Sequence, residues 1–346
     1  MNFTPQKILI VLHGSIGDVT RALPLANLLR RSFPAAWIAW SIEPPAMPLV
    51  ERHPAVDEVI LFDRPNWRAT LRPFLRRVRS GRFDLVLDLQ RHLKSGFISW
   101  WSHAPHRIGF APRDAKEFNW LFNNHHIARA AEGESKLNHY LRFADFLLIQ
   151  THDIEWNIRL SPEEEKSVDK LARAIGGPFA AYCVGGRWQS KRWFAEEASK
   201  NAMEVKRRYG LAVVLLGGAE DRAFAAAMSR ESASPLVDLT GRTSLREAIG
   251  LLARAQFSVG PDSGLMHLSA AVGTPVVSLW GPTDPERTGP YGFDDLVVRG
   301  RAPCAPCYVK TCPIDRVCME TIKSGAVLAK IDAALARKGS VRGAAG

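Results

Sequence analysis

Glycine-flanked clusters of carboxylates and cations recur in this chain at the ends of short apolar runs, the places where an open α/β sheet presents its ligand-binding loops. The first is His13-Gly14-Ser15-Ile16-Gly17-Asp18. Its two glycines let the backbone approach a ligand closely. Asp18, at the start of the following helix, is favoured as a carboxylate by the positive end of that helix. An ionised carboxylate there can take a proton from a substrate hydroxyl, or it can simply cap the helix. Thr20 stands where a dinucleotide fingerprint needs its third glycine, so that reading is poorly supported.

The second cluster is Gly260-Pro261-Asp262-Ser263-Gly264-Leu265-Met266-His267. Asp262, Ser263 and Gly264 expose backbone N–H groups at a helix start, a ready anion site, and Ser263 adds a hydroxyl donor. His267 lies about one turn further on. A diphosphate fits this arrangement; a capped helix with a core histidine is the bland alternative. Trp280-Gly281-Pro282-Thr283-Asp284-Pro285 forms another loop on the same rim. A third cluster, Gly185 to Trp193, brings Arg187 and Lys191, which can neutralise phosphates, while Lys191 or Arg192 can instead be a solvated rim charge. A fourth, Leu216-Gly217-Gly218-Ala219-Glu220-Asp221, offers Glu220 to a ribose, or as a first-turn helix acid.

Two further patterns stand apart. Arg68, Arg72, Arg76 and Arg79 share one face of an expected helix over 67–82, while Leu71, Phe74, Leu75 and Val78 mark its buried face. Such a stripe suits an anionic partner or a solvated surface. Pro73 would disturb it unless the helix began near that residue. Cys304, Cys307, Cys312 and Cys318 are spaced C-x2-C-x4-C-x5-C, and Cys183 stands alone. Reduced thiols are expected there, with a bound metal as the lesser alternative, because the second pair is not a CxxC and three prolines shape the loop.

The elements that must position these loops follow from periodicity. Strands are expected at 7–12, 37–40, 56–62 and 85–89, and helices at 18–33, 67–82 and 92–101, with Pro24 kinking the first helix. After a turn-rich stretch at 153–162 the pattern restarts. Strands are expected at 179–184, 211–216, 257–259 and 275–280, and helices at 195–209, 245–254 and 265–271. Continuous apolar strands alternating with helices imply parallel sheets covered on both faces. The chain has 346 residues, more than one core usually serves. The expected fold is therefore α/β, with two Rossmann-like parallel-sheet domains facing a cleft. The domains are placed at 1–160 and 161–346, with the boundary zone near 155–175. A last helix near 324–338 is expected to pack on the first domain or stay with the second. The ten final residues read as a frayed tail.

The net charge is +11, and residues 1–150 hold 20 Lys and Arg against 13 Asp and Glu, or +7 of it. That balance points to an anionic partner. No apolar window approaches membrane-spanning length, and the start lacks the features of a signal peptide. The expected location is the cytoplasm, or the inner face of the inner membrane as a peripheral protein.

Taken together, H-G-S-I-G-D-V with Ala22-Leu23-Pro24, S-K-R-W, L-L-G-G-A-E-D and the run from Gly260 to Pro285 resemble the lipopolysaccharide heptosyltransferases of glycosyltransferase family 9. The likeness extends from about Lys7 to Ile322, and 260–285 is its most specific part. It implies a GT-B fold and an inverting transfer, without metal or cofactor, from ADP-heptose to an anionic lipid-linked glycan at the membrane surface. Kdo–lipid A or an already heptosylated core would be the acceptor, and no nucleic acid is expected. It implies Asp18 as the general base, with Lys191, Arg187, Glu220, Asp262, Ser263, Gly264 and His267 on the donor and Arg68, Arg72 and Arg76 toward the acceptor. The cysteine-rich segment resembles segments of this family in which no metal is expected. Phe194 departs from the family, which commonly has Pro after S-K-R-W. The competing expectations are another GT-B enzyme such as a nucleotide-sugar epimerase, a family 9 transferase with a different donor or acceptor, and a non-enzymatic RNA- or membrane-binding protein.

Overall fold

The computed structural model describes residues 3–343. Two compact units, Met1–Arg159 and Leu160–Gly346, each carry one six-stranded parallel sheet.

The first unit holds β1 (Lys7–Val11), β2 (Trp37–Ile42), β3 (Glu58–Leu61), β4 (Leu85–Asp88), β5 (His106–Gly109) and β6 (His125–His126). Their order is β3-β2-β1-β4-β5-β6. The central strands read as apolar runs because both of their faces are buried. β5 and β6 were not expected: they are short, and they join the sheet by backbone pairing, with the His106 and His125 rings stacked on each other. The helices are α1 (Ile16–Ser32), α2 (Trp67–Ser80), α3 (Leu93–Trp101) and α4 (Lys136–Phe146).

α1 runs through Pro24, whose missing N–H leaves the Thr20 carbonyl without its helical donor. The Trp156 indole supplies one instead, at 3.0 Å. α2 begins at Trp67, as expected, and runs on through Pro73, so the helix does not wait for that residue to start. The Ala69 carbonyl that loses its donor there sits on an exposed first turn, open to solvent. α4 was also unexpected; Ser135 caps it, and its apolar face packs on α1.

The second unit opens with α5 (Pro162–Ile175), a helix lying inside the stretch where a boundary was expected. Ser161 and Glu164 form its capping box, and Gly176 ends it at φ +81°. Then follow β7 (Phe179–Cys183), α6 (Ala195–Tyr209), β8 (Ala212–Leu216), α7 (Arg222–Glu231), β9 (Val237–Asp238), α8 (Leu245–Arg254) and β10 (Ser258–Pro261). The unit ends with α9 (Gly264–Ala271), β11 (Val276–Trp280), α10 (Pro285–Thr288), β12 (Val297–Arg299), α11 (Val317–Glu320) and α12 (Ser324–Gly343). The strand order is β12-β11-β10-β7-β8-β9. Gly260 is required by close approach, since a Cβ there would lie 2.5 Å from the Cys183 carbonyl oxygen. α12 packs on α6, β11 and β12 of its own unit. It runs beyond the expected end at 338 and through most of the expected tail; residues 344–346 lie outside the described residues.

In each unit the chain reverses direction across the sheet between two central strands, β1 and β4 in the first and β7 and β10 in the second. The loops leaving such a pair diverge and open a crevice at the carboxyl ends of the strands. Those four loops carry His13 to Asp18, Leu89 to His92, Gly185 to Trp193, and Asp262 to Gly264.

Candidate functional site

Asp18 stands in the first turn of α1, three residues after the N-cap Ser15. It accepts from the Ser15 backbone N–H at 3.3 Å and the Ser15 hydroxyl at 3.1 Å. The helix-capping reading and the charged-site reading therefore both apply to one side chain. Arg21 Nη1 donates to it at 3.0 Å and Lys136 Nζ, from α4, at 2.9 Å. Burial alone would raise its pKa. The Lys136 and Arg21 charges, with the hydrogen bonds from Lys136 and Ser15, overcome this and hold it well below the usual carboxylate range. The side chain keeps 21% of its exposure, so the ion pairs do not seal it from solvent.

The loop beneath is fixed by a relay from β4. Buried Asp88 accepts from the Gln90 N–H at 3.2 Å and from Asn119 Nδ2 at 2.6 Å, and Gln90 Oε1 accepts from the His13 N–H at 2.8 Å. Burial pushes the Asp88 pKa up. His13 lies stacked on Phe62 with its Nε2 3.0 Å from Ser41 Oγ. Burial first, and the nearby Lys94 second, push its pKa down to about 3, so the imidazole is neutral at physiological pH.

In the second unit the two loops at the β7/β10 crevice meet through charge. Lys191 Nζ lies 2.5 Å from Asp262 Oδ2, which also accepts from Thr283 Oγ1 at 3.0 Å. His267 Nε2 is 3.7 Å from Asp262 Oδ1. Burial opposes ionisation of Asp262, whose side chain is only 9% exposed; the nearby His267 and the Lys191 charge outweigh it and depress the pKa. The Lys191 ammonium also rests over the Trp188 ring at 4.5 Å. Ser263, the N-cap of α9, makes no capping hydrogen bond, and its buried hydroxyl has no partner among the described residues. Gly264 is the first residue of α9 and brings its amide to the same place.

The remaining expected residues fall where their local sequence put them. Glu220 is exposed on the 3-10 turn Ala219–Asp221, while its neighbour Asp221 is buried. Asp221 accepts from the Gly218 N–H at 2.9 Å and from Arg192 Nη2 at 3.2 Å. Arg187 is exposed, and Arg68, Arg72 and Arg76 are exposed along α2. Of the cysteines, Cys304 is exposed, and Cys318 is buried with its pKa pushed up by that burial. Cys312 Sγ accepts from the Arg316 N–H at 3.2 Å. Among the described residues no group of three or more His, Cys, Asp and Glu is placed to hold a metal ion.

Sequence reasoning did not find Lys136, Arg21, Asp88, Thr283 or Trp188. Arg21 was within reach of it, three residues after Asp18 on a helix. Lys136 was not, since 118 residues separate it from its partner.

The sequence model of glycosyltransferase family 9 (heptosyltransferase) matches residues 71–318. The lipopolysaccharide heptosyltransferase 1 of Pseudomonas aeruginosa is 28% identical over 333 residues, covering 89% of this chain and 87% of its own. The glycosyl transferase family 9 protein of Veillonella parvula superposes with a TM-score of 0.83 at 21% identity, covering 97% of this chain and 99% of its own. The ADP-heptose LPS heptosyltransferase II of E. coli superposes with a TM-score of 0.75 at 24% identity, covering 96% and 99%.

Proposed function

The chain belongs to glycosyltransferase family 9 and is a glycosyltransferase of the GT-B fold, and we propose that it moves heptose from ADP-heptose to the inner core of lipopolysaccharide. Relatives bearing that activity in their names support the reading. The observation that carries it is the Lys191–Asp262 pair beside the unpartnered Ser263 hydroxyl at the start of α9.

The reaction proposed is an inverting displacement. An acceptor hydroxyl attacks the anomeric carbon from the side opposite the diphosphate, and the C–O bond to the diphosphate breaks. Asp18 takes the hydroxyl proton. Its depressed pKa keeps it ionised and ready to accept, at the cost of a weak proton affinity. Arg21 and Lys136 act as positioning residues that fix the carboxylate.

Negative charge gathers on the leaving ADP. Lys191 has three N–H donors and gives one to Asp262, leaving others for phosphate oxygen. The Ser263 hydroxyl and the Gly264 amide add donors at a helix N-terminus. His267 orients Asp262, and Asp262 in turn holds Lys191 in place. Arg187 is assigned to the phosphates and Glu220 to the nucleoside. Arg68, Arg72 and Arg76 are assigned to the phosphorylated acceptor, either Kdo–lipid A or an already heptosylated core. No metal or other cofactor is assigned a step.

The test is incubation of the protein with ADP-heptose and a Kdo-bearing lipid acceptor, in buffer with and without EDTA. Gain of one heptose on the acceptor, release of ADP and an inverted anomeric configuration support the reading. Epimerised or hydrolysed ADP-heptose with no acceptor product refutes it, as does transfer only from a UDP- or GDP-sugar. A rate abolished by EDTA refutes metal independence.

A further inference from the structure

α3 is built inside out for a helix at a water-facing surface. Only three of its residues are exposed, Leu93 (48%), Phe97 (37%) and Trp100 (46%), and all three are large and apolar. They recur at i, i+4 and i+7, one stripe of the helix. Both of its serines are buried, together with Gly96 and Ile98: Ser95 Oγ donates to the His92 carbonyl at 2.8 Å and Ser99 Oγ to Asn123 Oδ1 at 2.7 Å. A water-facing helix distributes these residue types the other way round.

The neighbours extend the patch. Phe118 and Leu121, at the 3-10 turn packed on α3, are exposed, as is Trp67 at the start of α2. Trp101 Nε1 donates to the Leu75 carbonyl at 3.0 Å and so fixes α3 against α2, the helix that exposes Arg68, Arg72, Arg76 and Arg79. Neither helix contains an acidic residue. The exposed Glu117 carboxylate is occupied by the His92 ring at 3.1 Å, and Glu43 and Glu58 are paired with Lys94 and Arg77.

We propose that the α3 stripe, flanked by the α2 arginines, docks this unit onto an anionic phospholipid bilayer. Tryptophan and phenylalanine favour the headgroup–acyl boundary, and arginines without local counter-charges are drawn to lipid phosphates. That charge complementarity favours lipid over a protein partner for the same apolar face. Attachment is at the surface, because no helix among the described residues is long and apolar enough to cross a membrane. The inference deepens the reading of the chain as a transferase acting on a lipid-linked acceptor, and its test involves no transfer.

The full chain is sedimented with vesicles of phosphatidylcholine, alone or with about a quarter phosphatidylglycerol. Binding is expected to the anionic vesicles and to weaken as salt rises. The double substitution Phe97→Ser/Trp100→Ser is expected to weaken it on the order of tenfold or more, with ADP binding and the circular dichroism spectrum unchanged. Leu93→Ser/Phe97→Ser gives an independent second variant should the first fold poorly. The proposal is overturned if native protein ignores anionic vesicles, or if both folded variants bind them as tightly as native protein. It is equally overturned if the substitutions leave vesicle binding intact while dissociating a dimer, which would make the stripe an interface between copies.

Discussion

Asp18→Asn keeps the shape of the side chain and removes its charge, so it separates chemistry from architecture. The native carboxylate receives Lys136 at 2.9 Å and Arg21 at 3.0 Å. The substitution therefore deletes the proton acceptor and leaves two cations facing each other. Loss of a general base costs about 10²–10⁴-fold in rate, or about 3–5 kcal/mol on the barrier. Breaking a fully buried ion pair costs about 3–5 kcal/mol in stability. Asp18 and Lys136 retain 21% and 27% exposure, so solvent reduces that cost to about 1–3 kcal/mol. A protein with an ordinary stability of about 5–15 kcal/mol stays folded after such a loss, so unfolding does not account for the fall in rate. The assay is ADP release in the presence of acceptor, paired with calorimetric titration of ADP-heptose and a thermal melt. The expected result is a turnover lowered by about 10²–10⁴-fold, a lower Tm and native donor affinity, because the Lys191 and Ser263 donors belong to the other unit. Turnover at the native rate, or turnover that falls only as far as donor affinity does, refutes Asp18 as the base.

Lys191→Ala is expected to weaken ADP binding by about 10–100-fold by calorimetry, since it removes a charge-assisted donor and leaves Asp262 with less compensation. Unchanged affinity would take Lys191 off the diphosphate. His13 titrates near 6.5 when unfolded and near 3 when folded. Between those values the unfolded chain binds a proton that the native protein does not, so stability rises with pH through that window and levels off above it. His13→Gln is accordingly expected to flatten the fall in Tm between pH 7 and about 4, and an unaltered slope would place the acid sensitivity elsewhere. Trp156→Phe keeps an aromatic ring, though a smaller one, and deletes the N–H that serves the Thr20 carbonyl. It should cost about 1 kcal/mol in urea unfolding, and no change would mean that water takes the donor's place.

The cores of the elements were readable wherever one residue's neighbours in sequence were also its neighbours in space. α8 was expected at its observed bounds from periodicity, and the structure shows that Ser244 and Glu247 close a local capping box at its start. β5 and β6 escaped notice because four residues, HRIG, and two, HH, carry no periodicity, and the sheet recruits them by backbone pairing. What Pro73 does to α2 was left open for a related reason. Its cost within a helix depends on whether the freed carbonyl finds a donor, which is a property of the surroundings and not of the residue.

The same division runs through the candidate site. By itself the sequence determined which loops are the candidates for the chemistry, because a strand–glycine–helix passage is a local event and Asp18, Lys191, Asp262 and Ser263 all lie on such passages. It also determined the family, through the loop residues from Gly260 to Pro285. Tertiary structure alone decided which charges face each other. Lys136 reaches Asp18 across 118 residues and Lys191 reaches Asp262 across 71. Ionisation depends on charges and burial within a few ångströms, and that distance is set by how the strands are ordered in the sheet rather than by position along the chain.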